Sequence, residues 1–336
     1  MAAAGVDAQD QTFAGSGQQV SRLTSPGVSR SPVRGRLAPS PTGVLHLGNA
    51  RTFLLAWLSV RSQGGSLVLR IEDIDGPRLK AGATEMAIED LRWLGLDWDE
   101  GPVFQTARLP LYAAALEQLL ARGLAYPCVC SRKEVEDAAS APHGLDGPRY
   151  PGTCRGRWRT VAEARAATGK DPAVRFVVAP GVIAFDDGCH GRVATDLMAE
   201  SGDFVIAKRD GTPAYQLAVV VDDAAMHIDE VLRGDDLLPS TPRQLLLYQA
   251  LGLRAPRFVH VPLVVGEDGR RLAKRHGDTT LRRYRDAGVT AGAMVAWLAR
   301  SCGYADVPSA LHPRELLGSF DLARLPREPV VFRGTL

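Results

Sequence analysis

Apolar and polar positions alternate along this chain in two rhythms. "RGRLAP" reads as a short strand, and "HLGNARTFLLAWLSVRSQ" follows with a largely apolar face at helical spacing. "GSLVLRIED" reads as a buried strand, and "ATEMAIEDLRWLGL" returns to helical spacing. Strand, helix, strand, helix in this order predicts a parallel sheet with right-handed crossovers. After one more helix, "LYAAALEQLLARG", the rhythm breaks. Residues 126–200 are rich in Gly, Pro and Cys, with short strands such as "AVRFVVAP", and read as an α+β insertion. From Phe204 the alternation resumes through "FVIAKRDG", "PAYQLAVVVDDAAM", "HIDEVLRG", "TPRQLLLYQALG" and "RFVHVPLVV". The remainder reads as mainly helical, and no internal repeat is found.

This pattern divides the 336 residues into a leader (1–33), two halves of one α/β domain (34–105 and 200–265), an insert (106–199) and a terminal helical segment (266–336). The content, 45% hydrophobic and 23% charged, is that of an ordinary soluble protein, and a net charge of +2 is too small to indicate a nucleic-acid partner. No run of 18 apolar residues is present, so no membrane partner is expected. The leader lacks the apolar core of a signal peptide and, rich in Ala, Gly, Ser and Gln, is expected to be disordered. Five cysteines, an odd number at uneven spacing, suit reduced thiols in the cytoplasm.

Three stretches carry candidate chemistry. In "RLAPSPTGVLHLGNARTFLLAWL", Gly43 and Gly48 have the spacing of a Walker A loop, but Asn49-Ala50 stands where Lys-Ser/Thr is required. A P-loop is disfavoured; a plain turn is the bland reading. A Pro/Gly-rich turn directly before a helix N-terminus nonetheless presents free N–H groups to a phosphate. The second stretch, "GEDGRRLAKRHGD" (266–278), is a basic loop that, if not a solvated charge run, could set Lys274 against a departing pyrophosphate. In the third, Cys128, Cys130 and Cys154 supply three thiols of a tetrahedral metal site, and His143 is a candidate fourth ligand on its chemistry. Cys189 and Cys302 read as structural. Asp222-Asp223 and Asp235-Asp236 read as helix-end and turn acids.

Together, "HLGN" and "RLAKR", about 225 residues apart, resemble the two signatures of class I aminoacyl-tRNA synthetases. More narrowly, "RLAPSPTGVLHLGNART", "LRIEDID", "GTPAYQLAVVVDD", "VLRGDDLLPSTPRQLLLYQALG" and "RLAKRHG" look like the glutamyl-tRNA synthetase catalytic core. The resemblance implies a Rossmann-like catalytic domain with an inserted zinc-bearing subdomain and a C-terminal stem-contact segment. It departs at Asn49, where the first signature has a second histidine, and at Arg271 and Arg275 in the second signature. It implies glutamate binding by Arg36, Leu37, Ala38, Pro39, Ser40, Glu72, Tyr215 and Arg233. Glu72 would take the ammonium, Arg36 and Arg233 the carboxylates, and Tyr215 would donate its hydroxyl. ATP, with Mg²⁺, would be held by His46, Gly48, Asn49 and Lys274, with His46 and Lys274 catalytic. It further implies one structural Zn²⁺ on Cys128, Cys130, Tyr150 and Cys154.

The chain stops soon after the core, without the length of an anticodon reader. That, with the C-x-C/Y-x-x-x-C pattern and "DDLLPSTPRQ", resembles the glutamyl-Q tRNA(Asp) synthetases. These activate L-glutamate with ATP and transfer it to the queuosine base in the anticodon loop of tRNA(Asp). The insert's Arg132, Arg149, Arg155, Arg157 and Arg159 would then be phosphate contacts. A cytoplasmic monomer is expected. A minimal glutamyl-tRNA synthetase charging a 3′ end, and a catalytically silent RNA-binding paralogue, are the alternatives.

Overall fold

A computed structural model describes residues 21–22, 32–74, 76–138, 149–272 and 279–334. Arg34–Leu37, Ser66–Ile71 and Glu100–Phe104 form a parallel sheet with Ser66–Ile71 in the centre. Residues 67–71 are all buried, because helices cover a parallel sheet on both faces. Glu230–Gly234 and Arg257–Val261 form a second parallel pair. The two sets meet where the Asp229 N–H donates to the Arg34 carbonyl at 2.7 Å and Asp229 Oδ2 accepts from Arg34 N at 3.1 Å. The spatial order is therefore 100–104, 66–71, 34–37, 230–234, 257–261. Strand order reverses beside Arg34–Leu37, and in such sheets the ligand crevice lies beyond the strand ends at that point.

Glu100–Phe104 does not stand out in the apolar pattern, because it is a largely exposed edge strand containing Gly101 and Pro102. Proline is tolerated at an edge, where no ladder bond is lost. Gly101 has φ +99°, and a Cβ there would lie 2.3 Å from the Leu69 carbonyl oxygen, so only glycine fits.

The helix Leu47–Arg61 packs Leu47, Leu54, Leu55, Trp57 and Leu58 into the core. Met294, Val295 and Leu298 of the helix Ala291–Ser301 share that core, and Val330–Val331 pairs in parallel with Val264–Val265. The terminal segment is thus packed onto the catalytic half rather than standing apart from it.

The insert has an antiparallel sheet of Ala125–Cys128, Ala173–Phe176 and Phe204–Ala207. Phe204–Ala207 therefore belongs to the insert, a correction to the boundary at 200. The Rossmann-like alternation resumes with the helix Tyr215–Ala225. A hairpin, Ile183–Asp187 with Gly191–Thr195, docks on the edge strand Arg257–Val261. Its Gly188 N–H donates to the Phe258 carbonyl at 2.9 Å. A Cβ on Gly188 would lie 2.7 Å from Val259 Cγ2, so the close approach requires glycine. Ser21–Arg22, inside the leader expected to be disordered, pairs in parallel with Ile183 and Ala184. Among the described residues no helix is long and apolar enough to cross a membrane.

Candidate active site

The Pro/Gly-rich turn ends in a capped helix. His46, extended at φ −114° and ψ 171°, is the N-cap of Leu47–Arg61. Its Nδ1 accepts the Gly48 N–H at 3.1 Å, while Asn49 Oδ1 accepts the His46 N–H at 3.2 Å. This is a capping box in which histidine plays the serine role. With Nδ1 an acceptor, the neutral ring carries its proton on Nε2, which remains a donor. Burial, reinforced by the Arg271 charge and opposed by Asp236, pushes the imidazole down to about 4, so it is neutral at pH 7. Asn49, standing where the resemblance has a second histidine, caps the helix through its side chain.

The basic loop begins and ends beside this turn. The Leu47 N–H donates to the Thr279 carbonyl at 3.0 Å, the Leu281 N–H donates to the Leu45 carbonyl at 2.9 Å, and His46 bridges Thr280. At the other end, Arg271 Nη1 donates to Asp236 Oδ2 at 2.8 Å. Lys274 lies outside the described residues.

At the switch point, side chains from four elements converge. Arg36 is buried, donates Nη1 to the Leu232 carbonyl at 3.0 Å, and keeps a buried Nε without a hydrogen-bond partner among the described residues. Burial lowers its pKa, with Asp223 opposing and Arg70 and Arg233 adding repulsion. Arg233 Nη1 donates to the Tyr215 hydroxyl at 3.3 Å. Burial raises the Tyr215 hydroxyl above its ordinary range; the charges of Arg233, Glu72 and Arg36 all reach it. Ser40 Oγ donates to Glu72 Oε2 at 3.3 Å, and the Glu72 N–H donates to the Pro39 carbonyl at 3.0 Å. Arg36, Ser40, Glu72, Tyr215 and Arg233 therefore cluster at the switch point, setting cations, an anion and a hydroxyl side by side. The Leu37 side chain is fully buried in the core, so only its backbone is available to the cluster. Ala38 is half-buried beside it.

Several groups that sequence reasoning missed hold this cluster in place. Arg70 is fully buried and donates to Asp223 at 2.6 Å and to Glu72 at 3.2 Å. Burial opposes its charge, but Asp223, Glu72 and Asp222 outweigh that and raise its pKa. Asp222 accepts from Gln105, Arg108 and Tyr112. The two aspartates read as helix-end acids are thus buried counter-ions. The only signal in sequence was an acidic pair on an otherwise uncharged helix.

In the insert, the Cys128, Cys130 and Cys154 sulfurs lie within 4.8 Å of one another. The Tyr150 hydroxyl sits 3.3 Å from Cys128 Sγ and 3.7 Å from Cys130 Sγ, and accepts the Cys154 N–H at 2.9 Å. Three soft sulfurs and one oxygen around a common point suit a tetrahedral metal. The Arg175 guanidinium lies 3.8 Å over the Tyr150 ring and donates to Cys128 Sγ at 3.3 Å. His143 lies outside the described residues.

Residues 32–333 match the family model of the tRNA synthetases class I (E and Q), catalytic domain. The chain belongs to this family. A glutamyl-Q tRNA(Asp) synthetase of Symbiobacterium thermophilum is 54% identical over 88% of this chain and 94% of its own length. A glutamate–tRNA ligase of Geobacter sulfurreducens is 48% identical, over 80% of this chain but 57% of the ligase. Among solved structures, a glutamate tRNA ligase of Elizabethkingia meningosepticum in complex with its amino acid superposes with TM-score 0.76 at 28% identity, covering 90% of this chain and 68% of the ligase. The class I catalytic-domain fold thus accounts for the parallel sheets.

Proposed function

We propose that this synthetase activates L-glutamate with ATP and transfers it to queuosine in the anticodon loop of tRNA(Asp). The observation that carries this reading is 54% identity over 94% of a glutamyl-Q tRNA(Asp) synthetase; the clustered arginines and Glu72 support it with charges that suit a dicarboxylate with an ammonium. Arginine forks suit the two carboxylates, and Glu72, oriented by Arg70 and Ser40, suits the ammonium. A glutamate carboxylate oxygen attacks the α-phosphorus of Mg²⁺–ATP in line, forming the mixed anhydride and releasing pyrophosphate. A queuosine hydroxyl then attacks the acyl carbon; an ester forms and AMP leaves. His46, through Nε2–H and the helix N-terminus it caps, supplies donors to the phosphates, and Lys274 neutralises the leaving pyrophosphate. This step needs positioning and charge stabilisation rather than a protein nucleophile.

The cysteine cluster and Tyr150 would hold one zinc, which when bound pins an insert with a small core of its own. Radiolabelled glutamate supplied with ATP and either queuosine-containing or queuosine-lacking tRNA(Asp) tests the acceptor. Label on the queuosine tRNA alone is expected; equal labelling of both tRNAs would mean a 3′-end ligase. Absence of glutamate-dependent ATP–pyrophosphate exchange would mean a silent paralogue. In the same exchange assay, Lys274→Ala should abolish the signal.

A further inference from the structure

The insert reaches the switch-point cluster through a line of buried hydrogen bonds. Asp187, at the end of the docked strand Ile183–Asp187, accepts from His260 Nδ1 on Oδ2 at 2.6 Å. On the far side of the ring, Arg233 Nε donates to His260 Nε2 at 3.0 Å, and Thr241 Oγ1 lies 3.1 Å from the same nitrogen. Arg233 Nη2 donates to Thr241 Oγ1 at 2.9 Å and Gln244 Oε1 at 2.8 Å, leaving Nη1 toward Tyr215. All five of Asp187, His260, Arg233, Thr241 and Gln244 are at least nine-tenths buried.

We propose that Asp187 and His260 are positioning residues for glutamate binding, fixing the tautomer that accepts Arg233 and so aiming its guanidinium at the glutamate carboxylate. This rests on the reading that Arg233 holds that carboxylate. A carboxylate at 187 can only accept, so Nδ1 must carry the ring proton and Nε2 must be bare. Only a bare Nε2 can take the Arg233 Nε–H. Burial keeps the ring neutral, lowering it to about 4, with the Asp187 hydrogen bond opposing and the Arg233 charge reinforcing that shift. Arg233 is thereby held through two of its nitrogens, Nε and Nη2, and the orientation of its Nη1 edge follows.

Asp187→Asn isolates the effect. Asp187 Oδ1 accepts from the N–H groups of Cys189 at 2.9 Å, His190 at 3.0 Å and His260 at 3.2 Å. In the variant, those three donors hold the amide carbonyl oxygen in the Oδ1 place, so the NH₂ faces Nδ1. The ring then switches tautomer and presents Nε2–H to Arg233 Nε–H, two donors opposed. In ATP–pyrophosphate exchange with the full chain, Asp187→Asn should raise KM for glutamate about tenfold, as loss of an outer partner typically does. KM for ATP and kcat should stay close to wild type, a split that general loss of fold does not produce. Two-bond ¹⁵N–¹H spectra of histidine-labelled wild type should show His260 protonated on Nδ1, a reading that needs no variant. Wild-type protonation on Nε2 would overturn the proposal. So would an unchanged glutamate KM in Asp187→Asn when Arg233→Lys raises it. If Arg233→Lys leaves that KM unchanged, the assignment of Arg233 to the carboxylate fails and the proposal with it.

Discussion

Arg70 and Asp223 stand 153 positions apart and pair at 2.6 Å, both side chains almost fully out of water. The pair ties the central strand to the helix Tyr215–Ala225 and also sets Glu72, the second partner of Arg70. Removing one partner of a buried pair leaves an uncompensated charge, costing about 3–5 kcal/mol. Asp223→Ala should therefore lower stability by about that much in urea unfolding, with glutamate affinity falling as Glu72 loses its anchor. A loss below about 1 kcal/mol, the scale of an ordinary hydrogen bond, would show that Asp222 and Glu72 suffice for Arg70.

His46 has two separable roles, cap and donor. Asparagine caps helices well but cannot place a donor where Nε2–H stands. His46→Asn should keep the melting temperature within about 2 °C, since a preserved cap changes stability by only tenths of a kcal/mol. Exchange should fall about 100-fold, the scale of one lost donor to developing charge. His46→Ala should lose activity and about 1 kcal/mol together. Equal exchange in His46→Asn and wild type would remove the histidine from the chemistry.

Both His46 and His260 sit at about 4, below the ordinary 6.5, chiefly through burial. Between pH 4 and 6.5 the unfolded chain binds more protons at these two rings than the folded one, so stability rises with pH across that window. It is fully present above about 6.5 and lost as pH falls toward 4. Each ring contributes a slope of up to about 1.4 kcal/mol per pH unit. Urea titrations at about pH 5 and about pH 6, inside that window, should show His46→Asn reducing the wild-type slope by about one proton. An unchanged slope would mean that the ring is not buried neutral.

At the cysteine cluster, Cys154→Ser should reduce bound zinc measured by atomic absorption, and Tyr150→Phe should lower zinc retention against a chelator. Phenylalanine keeps the ring under Arg175 but loses the oxygen near the sulfurs. Each loss should be at least the roughly 10-fold that changing the outer partner of a metal ligand costs. Retention equal to wild type in Tyr150→Phe would point to another fourth ligand.

Much of the architecture follows from local pattern. The apolar run Leu67–Leu69 with Ile71 and the apolar face of Leu47–Arg61 each have one stable environment, so strand and helix are determined by their own residues. The Glu100–Phe104 edge strand was not visible, because an exposed edge needs no alternation, and its pairing with Ser66–Ile71 is what makes it a strand. Phe204–Ala207 looks like a core strand of the main domain in sequence; only its partner, Ala173–Phe176, assigns it to the insert.

By itself the sequence determined the family, the Pro/Gly-rich turn before the first helix and the three cysteines, because the residue types and spacing of these features carry the chemistry. Tertiary structure alone decided which charges are buried and against what. Asp222, Asp223, Asp187 and His260 look like ordinary polar positions along the chain. Their meaning arises where crossovers bring segments far apart in sequence into a dry crevice, since there an arginine must find an acceptor or remain an unpaired charge.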